Sequence, residues 1–342
     1  MHGLIVTSKI RNYELQFVHS INEILSETSN PNTITFVDQT VAHLYPDLNK
    51  DGFVFVECNE DAKTVDGSKV IVDALIDKKA NARTKLVVVG GGVLQDLIGY
   101  CASIYCRGIE YTLVPTTLLA QADSCVGGKT SINHGGRKNI LGTFYPPSKI
   151  LIDTNFTRTL APQDFISGLG EIYKFHILQN KIKQFDPTKS VLEMVYDGLK
   201  YKIDILSRDE FDKGERRFLN FGHTFGHALE ATSGHNIPHG IAVILGCMVS
   251  TLISAELGYA VVDLEEILSI GNDLIRRSNV QLEKEWFEFF NLQPVIKSDK
   301  KSTGNLTMVL MNNGQPVLAD VDRLDMIQPI LNRVYGGVYE SV

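Results

Sequence analysis

The sequence predicts an α/β amino-terminal domain with a nucleotide-binding parallel sheet, followed by an all-α carboxy-terminal domain. Two patterns and one motif carry that expectation. Up to residue 158, short β-branched runs alternate with helical stretches, the pattern of strands joined by crossover helices and covered on both faces. Beyond that point the β-rich runs stop and apolar residues recur at helical spacing. The motif is LVVVGGGVLQDLIG, residues 86–99, where a strand runs into three glycines and a helix opens. Glycines there let backbone N–H groups approach a phosphate, and a helix N-terminus adds partial positive charge. The expected domains are 1–158 and 159–342.

In chain order, the runs NTITFVDQT, GFVFVEC, TKLVVVGGG, IEYTLVPTT and SKILIDTN read as strands. Crossover helices fit 65–79 and 95–105. In the second half the helical pattern covers 164–178, 191–206, 215–232, 241–257 and 264–277. Near the end, LTMVLMNNGQPVLAD reads as a hairpin about Asn312, Asn313 and Gly314. No internal repeat and no low-complexity linker separates the two parts, and a cleft between them is the expected ligand site.

Composition bounds the function. A chain of 342 residues is long enough for two domains and needs no disulfide or metal staple to be stable. With 33 basic and 40 acidic side chains the net charge is −7, which argues against a nucleic-acid surface and leaves room for a local basic pocket. Cys58, Cys101, Cys106, Cys125 and Cys247 are odd in number and form no CxxC pair, so they read as thiols of a reducing compartment. MHGLIVTSKIRNYELQF lacks a basic start followed by an apolar core, and the uncharged run 240–255 reads as a buried helix and not a membrane span. A cytoplasmic protein is the expectation.

Three segments carry chemistry. The glycine turn departs from GxGxxG, and Glu110, about twenty residues on, precedes its strand instead of ending it, which is wrong for a ribose partner. The segment 115–139 has Lys129 after Gly127 and Gly128, but Asp123 stands where a P-loop needs glycine. It reads instead as a polar anion-binding loop with the cations Lys129, Arg137 and Lys138 and the carboxylate Asp123. Thr116 and Thr117, at the end of a strand, suit hydrogen bonding to a ligand. The third segment holds His223 and His227, four apart on a helical face, with His239 beyond a turn and Glu171 on an earlier helix. One carboxylate and two or three imidazoles make a divalent-metal set with an open position. Spacing alone nominates His223 with His227, but the glutamate of HExxH is missing between them, which excludes that protease class.

In combination, GGGVxxD, RG, PTTLLxxxDSxxGGKT, KN, GxxE, LNFGHTxGHAxE and HG resemble the 3-dehydroquinate synthase family of the sugar phosphate cyclases. The resemblance covers nearly the whole chain and is densest over 60–139 and 159–239. It implies the dehydroquinate synthase-like fold, shared with iron-dependent alcohol dehydrogenases, with an NAD-binding first domain and a metal- and substrate-binding second one. It implies Glu171, His223 and His239 as ligands of Zn2+ or Co2+, and gives His227 to the substrate phosphate instead. It implies substrate contacts at Asp123, Lys129, Asn139, Lys174, Lys202, Arg216 and Asn220, with one of Lys300 and Lys301, Lys300 preferred, on phosphate. Arg107 matches an arginine that reaches the neighbouring subunit's site, so a homodimer is expected. For NAD the matches are Asp38, Glu60, Lys63, Gly91, Gly92, Val93, Asp96, Thr116, Thr117, Lys129, Lys138, Phe156 and Thr159.

The implied reaction takes 3-deoxy-D-arabino-heptulosonate 7-phosphate to 3-dehydroquinate and phosphate. Its course is transient oxidation by NAD, phosphate elimination, re-reduction and intramolecular aldol closure. Lys202 and Arg216 favour a substrate with a carboxylate. Departures from the family pattern are Asp212 at a site position where glutamate is usual, Phe211 beside it, Ile241 after His239-Gly240, and the VLQD and AQAD variants. None removes a metal ligand. They leave open a sister cyclase acting on another heptulose phosphate or an amino analogue, while the phosphate-binding lysines argue against a plain polyol dehydrogenase.

Overall fold

The structure, a computed structural model, describes residues 3–299 and 306–339. The elements in order are β1 (Leu4–Val6), β2 (Tyr13–Phe17), α1 (Ile21–Thr28), β3 (Thr33–Asp38), α2 (Gln39–Leu44), β4 (Val54–Val56), α3 (Val65–Asp77), β5 (Lys85–Gly90), α4 (Gly92–Ile104), β6 (Glu110–Pro115), β7 (Lys129–His134), β8 (Arg137–Phe144) and β9 (Lys149–Ile152). There follow α5 (Pro162–Leu178), α6 (Val191–Arg208), α7 (His223–Thr232), α8 (His239–Glu256), α9 (Leu264–Ser278), α10 (Phe289–Asp299), β10 (Leu306–Asn312), β11 (Gln315–Val321) and α11 (Ile327–Tyr339). The chain divides into two compact units, Met1–Thr159 with Val191–Phe211, and Leu160–Ser190 with Asp212–Val342.

The first unit is built on a seven-stranded sheet of order β1-β2-β9-β6-β5-β3-β4, parallel except for the β1–β2 pair. Leu86, Val87, Val88 and Val89 of β5 are all buried, as a strand covered on both faces requires. Strand order turns back between β3 and β5, so the crevice at their carboxyl ends is where α/β sheets take ligands. Two features depart from the expected layout. The segment expected as a loop over 115–139 contains a π-helical turn, Ala120–Ser124, and then enters the antiparallel hairpin β7–β8. Helix α6, expected in the second domain, belongs to the first unit, packing on that π-turn. Its buried Lys202 donates to the Asp123 carbonyl at 2.6 Å and pairs with Asp123 Oδ1 at 2.9 Å.

The second unit is helical apart from the hairpin β10–β11, whose turn residues Asn313 and Gly314 both have positive φ, as a two-residue hairpin turn demands. Helix α8 is its centre: residues 240 to 254 are all buried, beneath α5, α7, α9, α11 and β10. This is the one described helix long and apolar enough to cross a membrane, and it is the unit's core. The helix expected over 215–232 is broken. A 3-10 turn, Glu215–Asn220, ends before Gly222, whose φ of +79° only glycine adopts freely, and α7 starts afresh at His223. Helices α5 and α8 touch backbone to backbone at Gly170 and Gly240. A Cβ on Gly170 would collide with the Gly240 carbonyl, and one on Gly240 with the Ser167 carbonyl. That contact brings Glu171 against the first residue of α8.

Candidate active site

Glu171 on α5, His223 and His227 on α7, and His239 at the start of α8 converge within the second unit. The three imidazoles offer ring nitrogens within 4.8 Å of one another. Glu171 Oε1 stands 3.6 Å from His223 Nε2 and 3.4 Å from His239 Nε2. Two bonds of ~2.1 Å at the tetrahedral angle place donor atoms about 3.4 Å apart, so these separations already match a shared divalent ion. The outer nitrogens are engaged: His223 Nδ1–H donates to the Phe221 carbonyl at 3.2 Å and His239 Nδ1–H to Glu230 Oε2 at 3.0 Å. Nε2 is therefore the nitrogen that each ring turns to a metal, and a carboxylate with two imidazoles suits zinc or cobalt. The residues fit the cation.

Electrostatics act differently on the two rings. Burial and the nearby Lys174 ammonium hold His223 well below the ordinary imidazole range, so it is neutral and able to ligate. Burial lowers His239 too, but its hydrogen bonds to Glu171 and Glu230 outweigh this and raise it to about 9, so a cation taken by its Nε2 would displace a proton there. Burial would raise Glu171, yet Lys174 and the imidazoles carry it well below the carboxylate range. Lys174, one turn after Glu171, is only 1% exposed and pairs with Glu171 Oε2. Arg216, on the 3-10 turn before α7, is 5% exposed. Charged groups are rarely buried so deeply without partners, so neither is an ordinary solvated cation. Asn220 ends the same turn, exposed, and Asp212 has a left-handed φ of +61°. Ile241 is fully buried, so the usual glutamate has no solvated place there.

In the first unit, the residues matched to NAD gather at the carboxyl edge of the sheet. Asp38 ends β3 and caps α2 by accepting from Thr40 N at 2.8 Å. Gly91 caps α4, with Gly92, Val93 and Asp96 in its opening turns, and Thr116 and Thr117 follow β6. Lys63, 5% exposed, pairs with Asp96 Oδ2 at 2.6 Å and donates to Asn139 Oδ1 at 2.6 Å. Burial raises the Asp96 carboxyl in spite of that lysine. Asn139, held at φ +55° on the hairpin, donates its N–H to Asn133 Oδ1 at 2.9 Å, and Asn133 Nδ2 donates to Glu60 Oε1 at 2.8 Å. Ser131 Oγ donates to Asn139 Oδ1 at 2.8 Å. One network thus joins Glu60, Lys63, Asp96 and Asn139. Lys129 and Lys138 stand exposed on the two strands of the same hairpin.

Some of the residues that the sequence singles out are not brought together. Glu110 opens β6 at the opposite edge of the sheet and pairs with Lys85 and Arg11, as its position before the strand implies. Phe156 lies in the apolar core with its ring edge-on to Tyr45, so its side chain offers no contact surface, while Thr159 is exposed and Tyr45 Oη lies 3.1 Å from its hydroxyl. Arg107 is exposed just before β6, one helix of about 20 Å from Gly91, in a turn where Cys106 and Arg107 both have positive φ. Lys300 and Lys301 lie outside the described residues. The sequence reading passed over Glu230, Asn133 and Ser131. Glu230 closes the quoted LNFGHTxGHAxE motif, and its place three residues after His227 was the available signal.

The comparisons agree with one another. The family model for the 3-dehydroquinate synthase N-terminal domain matches residues 53–167, and that for the C-terminal domain matches 168–302. A curated 3-dehydroquinate synthase from Vesicomyosocius okutanii is 34% identical, over 82% of this chain and 81% of that one. Another, from Clostridium tetani, is 36% identical, over 88% of this chain and 86% of that one. Among solved structures, a 2-deoxy-scyllo-inosose synthase complexed with carbaglucose-6-phosphate, NAD+ and Co2+ shares the fold. Its TM-score is 0.82 at 23% identity, over 97% of this chain and all of that one.

Proposed function

The chain belongs to the 3-dehydroquinate synthase family, and from that premise we propose that it converts 3-deoxy-D-arabino-heptulosonate 7-phosphate to 3-dehydroquinate and phosphate. The observation that carries the reading is the convergence of Glu171, His223 and His239 at metal-chelate separations beside the buried Lys174. The sister cyclase left open by Asp212 and Ile241 is not favoured, because the curated relatives at 34% and 36% identity are 3-dehydroquinate synthases.

Glu171, His223 and His239 would hold a divalent cation, zinc or cobalt, whose Lewis acidity would ease removal of a proton from a substrate hydroxyl near neutral pH. The carboxyl-edge crevice, with Asp38, Gly91, Gly92, Thr116 and Thr117, would hold NAD, which supplies a reversible hydride acceptor. Lys129 suits the substrate phosphate by its charge, and Asn139 and His227 each suit it by hydrogen bonds. Arg216, a planar fork, and Lys202, a point charge already paired with Asp123, are each suited to a carboxylate. Lys174 keeps Glu171 ionised and presents an ammonium proton at the same place. The protein acts as a cytoplasmic homodimer in which Arg107 serves the neighbouring copy. Support comes from its exposure at the sheet edge remote from Gly91 and from the positive φ that fixes its turn. Sedimentation tests the dimer, and Arg107→Ala should raise KM without moving the sedimentation coefficient.

The deciding assay supplies the heptulosonate phosphate, NAD and Zn2+ and follows phosphate and absorbance at 340 nm together. Phosphate release with no net NADH is expected. NADH accumulating without phosphate would make the protein a dehydrogenase and end the proposal.

A further inference from the structure

We propose that Glu230 is a positioning residue for the metal centre, fixing His239 in the tautomer whose Nε2 faces Glu171 and so tightening the grip of Glu171, His223 and His239 on a divalent cation. The inference rests on the metal-site reading above. His223, His227 and Glu230 follow at spacings of four and three on α7 and share one face of it, and α7 packs on α8, which His239 opens. Glu230 Oε2 lies 3.0 Å from His239 Nδ1. An ionised carboxylate has no proton to give, so the hydrogen of this bond sits on Nδ1, and Nε2, 3.4 Å from Glu171 Oε1, is the nitrogen left to turn to a cation. His223 reaches the same tautomer through a backbone carbonyl, that of Phe221. The two ligands therefore differ in what backs them: a dipole for one, a full negative charge for the other. A charged partner makes its imidazole the stronger donor and locks the ring plane. Glu230 is itself steered, since its Oε1 stands 3.5 Å from His235 Nδ1.

The test titrates the metal-free full-length protein with Co2+, reading visible absorption and chelator competition. Glu230→Ala should weaken Co2+ binding about 10- to 100-fold and change the Co2+ spectrum. Glu230→Gln, which keeps a carbonyl acceptor without the charge, should lose less but measurably. His223→Ala and His239→Ala are the reference arms. If these lose Co2+ and Glu230→Ala binds it as the parent does, the inference is overturned while the metal site stands. If all variants bind Co2+ equally, the metal reading fails as well. A lower melting point in chelator with unchanged Co2+ affinity marks a merely structural carboxylate and also overturns it. Should Glu230→Ala not fold, Glu230→Gln decides alone, with parental affinity counting against the proposal and a several-fold loss for it.

Discussion

A lysine on a helix is ordinarily a solvated one, yet Lys174 and Lys202 are buried and each is claimed by a carboxylate of its own unit. Removing Lys202 strips Asp123 of both its contacts with that ammonium, so Lys202→Met should lower the stability of the first unit by ~1.5–3 kcal/mol in denaturant unfolding and raise substrate KM. Arg216→Ala should act on binding, raising KM by the equivalent of ~2–5 kcal/mol if a desolvated carboxylate pair is lost. An unchanged KM would reject that role. His239→Ala should abolish turnover and leave NAD affinity intact, which equilibrium dialysis checks. Glu171, His223 and His239 are legible through the family motifs, whereas spacing alone nominates His223 with His227. Asn133 and Glu60 were harder to connect, because 73 residues separate partners whose bond only the folded hairpin makes.

At the scale of elements, what the sequence showed depended on whether burial left a period behind. The central strands β3, β5, β6 and β9 are buried on both faces and read as apolar runs. Strand β8 is exposed along nearly its whole length, so it carries no alternation, and its first residues look in sequence like the end of a loop. The break before α7 was hidden because helical periodicity continues on both sides of Gly222, whose positive φ is invisible in apolar spacing. The α5–α8 crossing makes a sharp prediction. Gly240→Ala forces a methyl group into the Ser167 carbonyl, and such overpacking costs ~1–3 kcal/mol or more. Because the same contact carries His239, differential scanning calorimetry should show a lower melting point and metal titration a weaker site. Parental values in both would mean the helices separate without consequence for the site.

For the molecule as a whole, the chain leaves the first unit after Thr159 and returns to it over Val191–Phe211. The reason is physical: α6 carries the cation that Asp123 needs, a tertiary bond that local periodicity does not announce. Native-state hydrogen exchange should therefore find α6 amides opening with β5 and β6 and not with α8. Protection shared with α8 would count against that grouping. The interleaving also bears on how the nascent chain matures. A ribosome that has delivered Thr159 has not yet delivered the helix that completes the first unit, and must first release α5. At roughly 5–20 residues per second, the 79 residues from Asp123 to Lys202 leave Asp123 without its lysine for roughly 4–16 s, a window in which chaperones would find the unfinished unit.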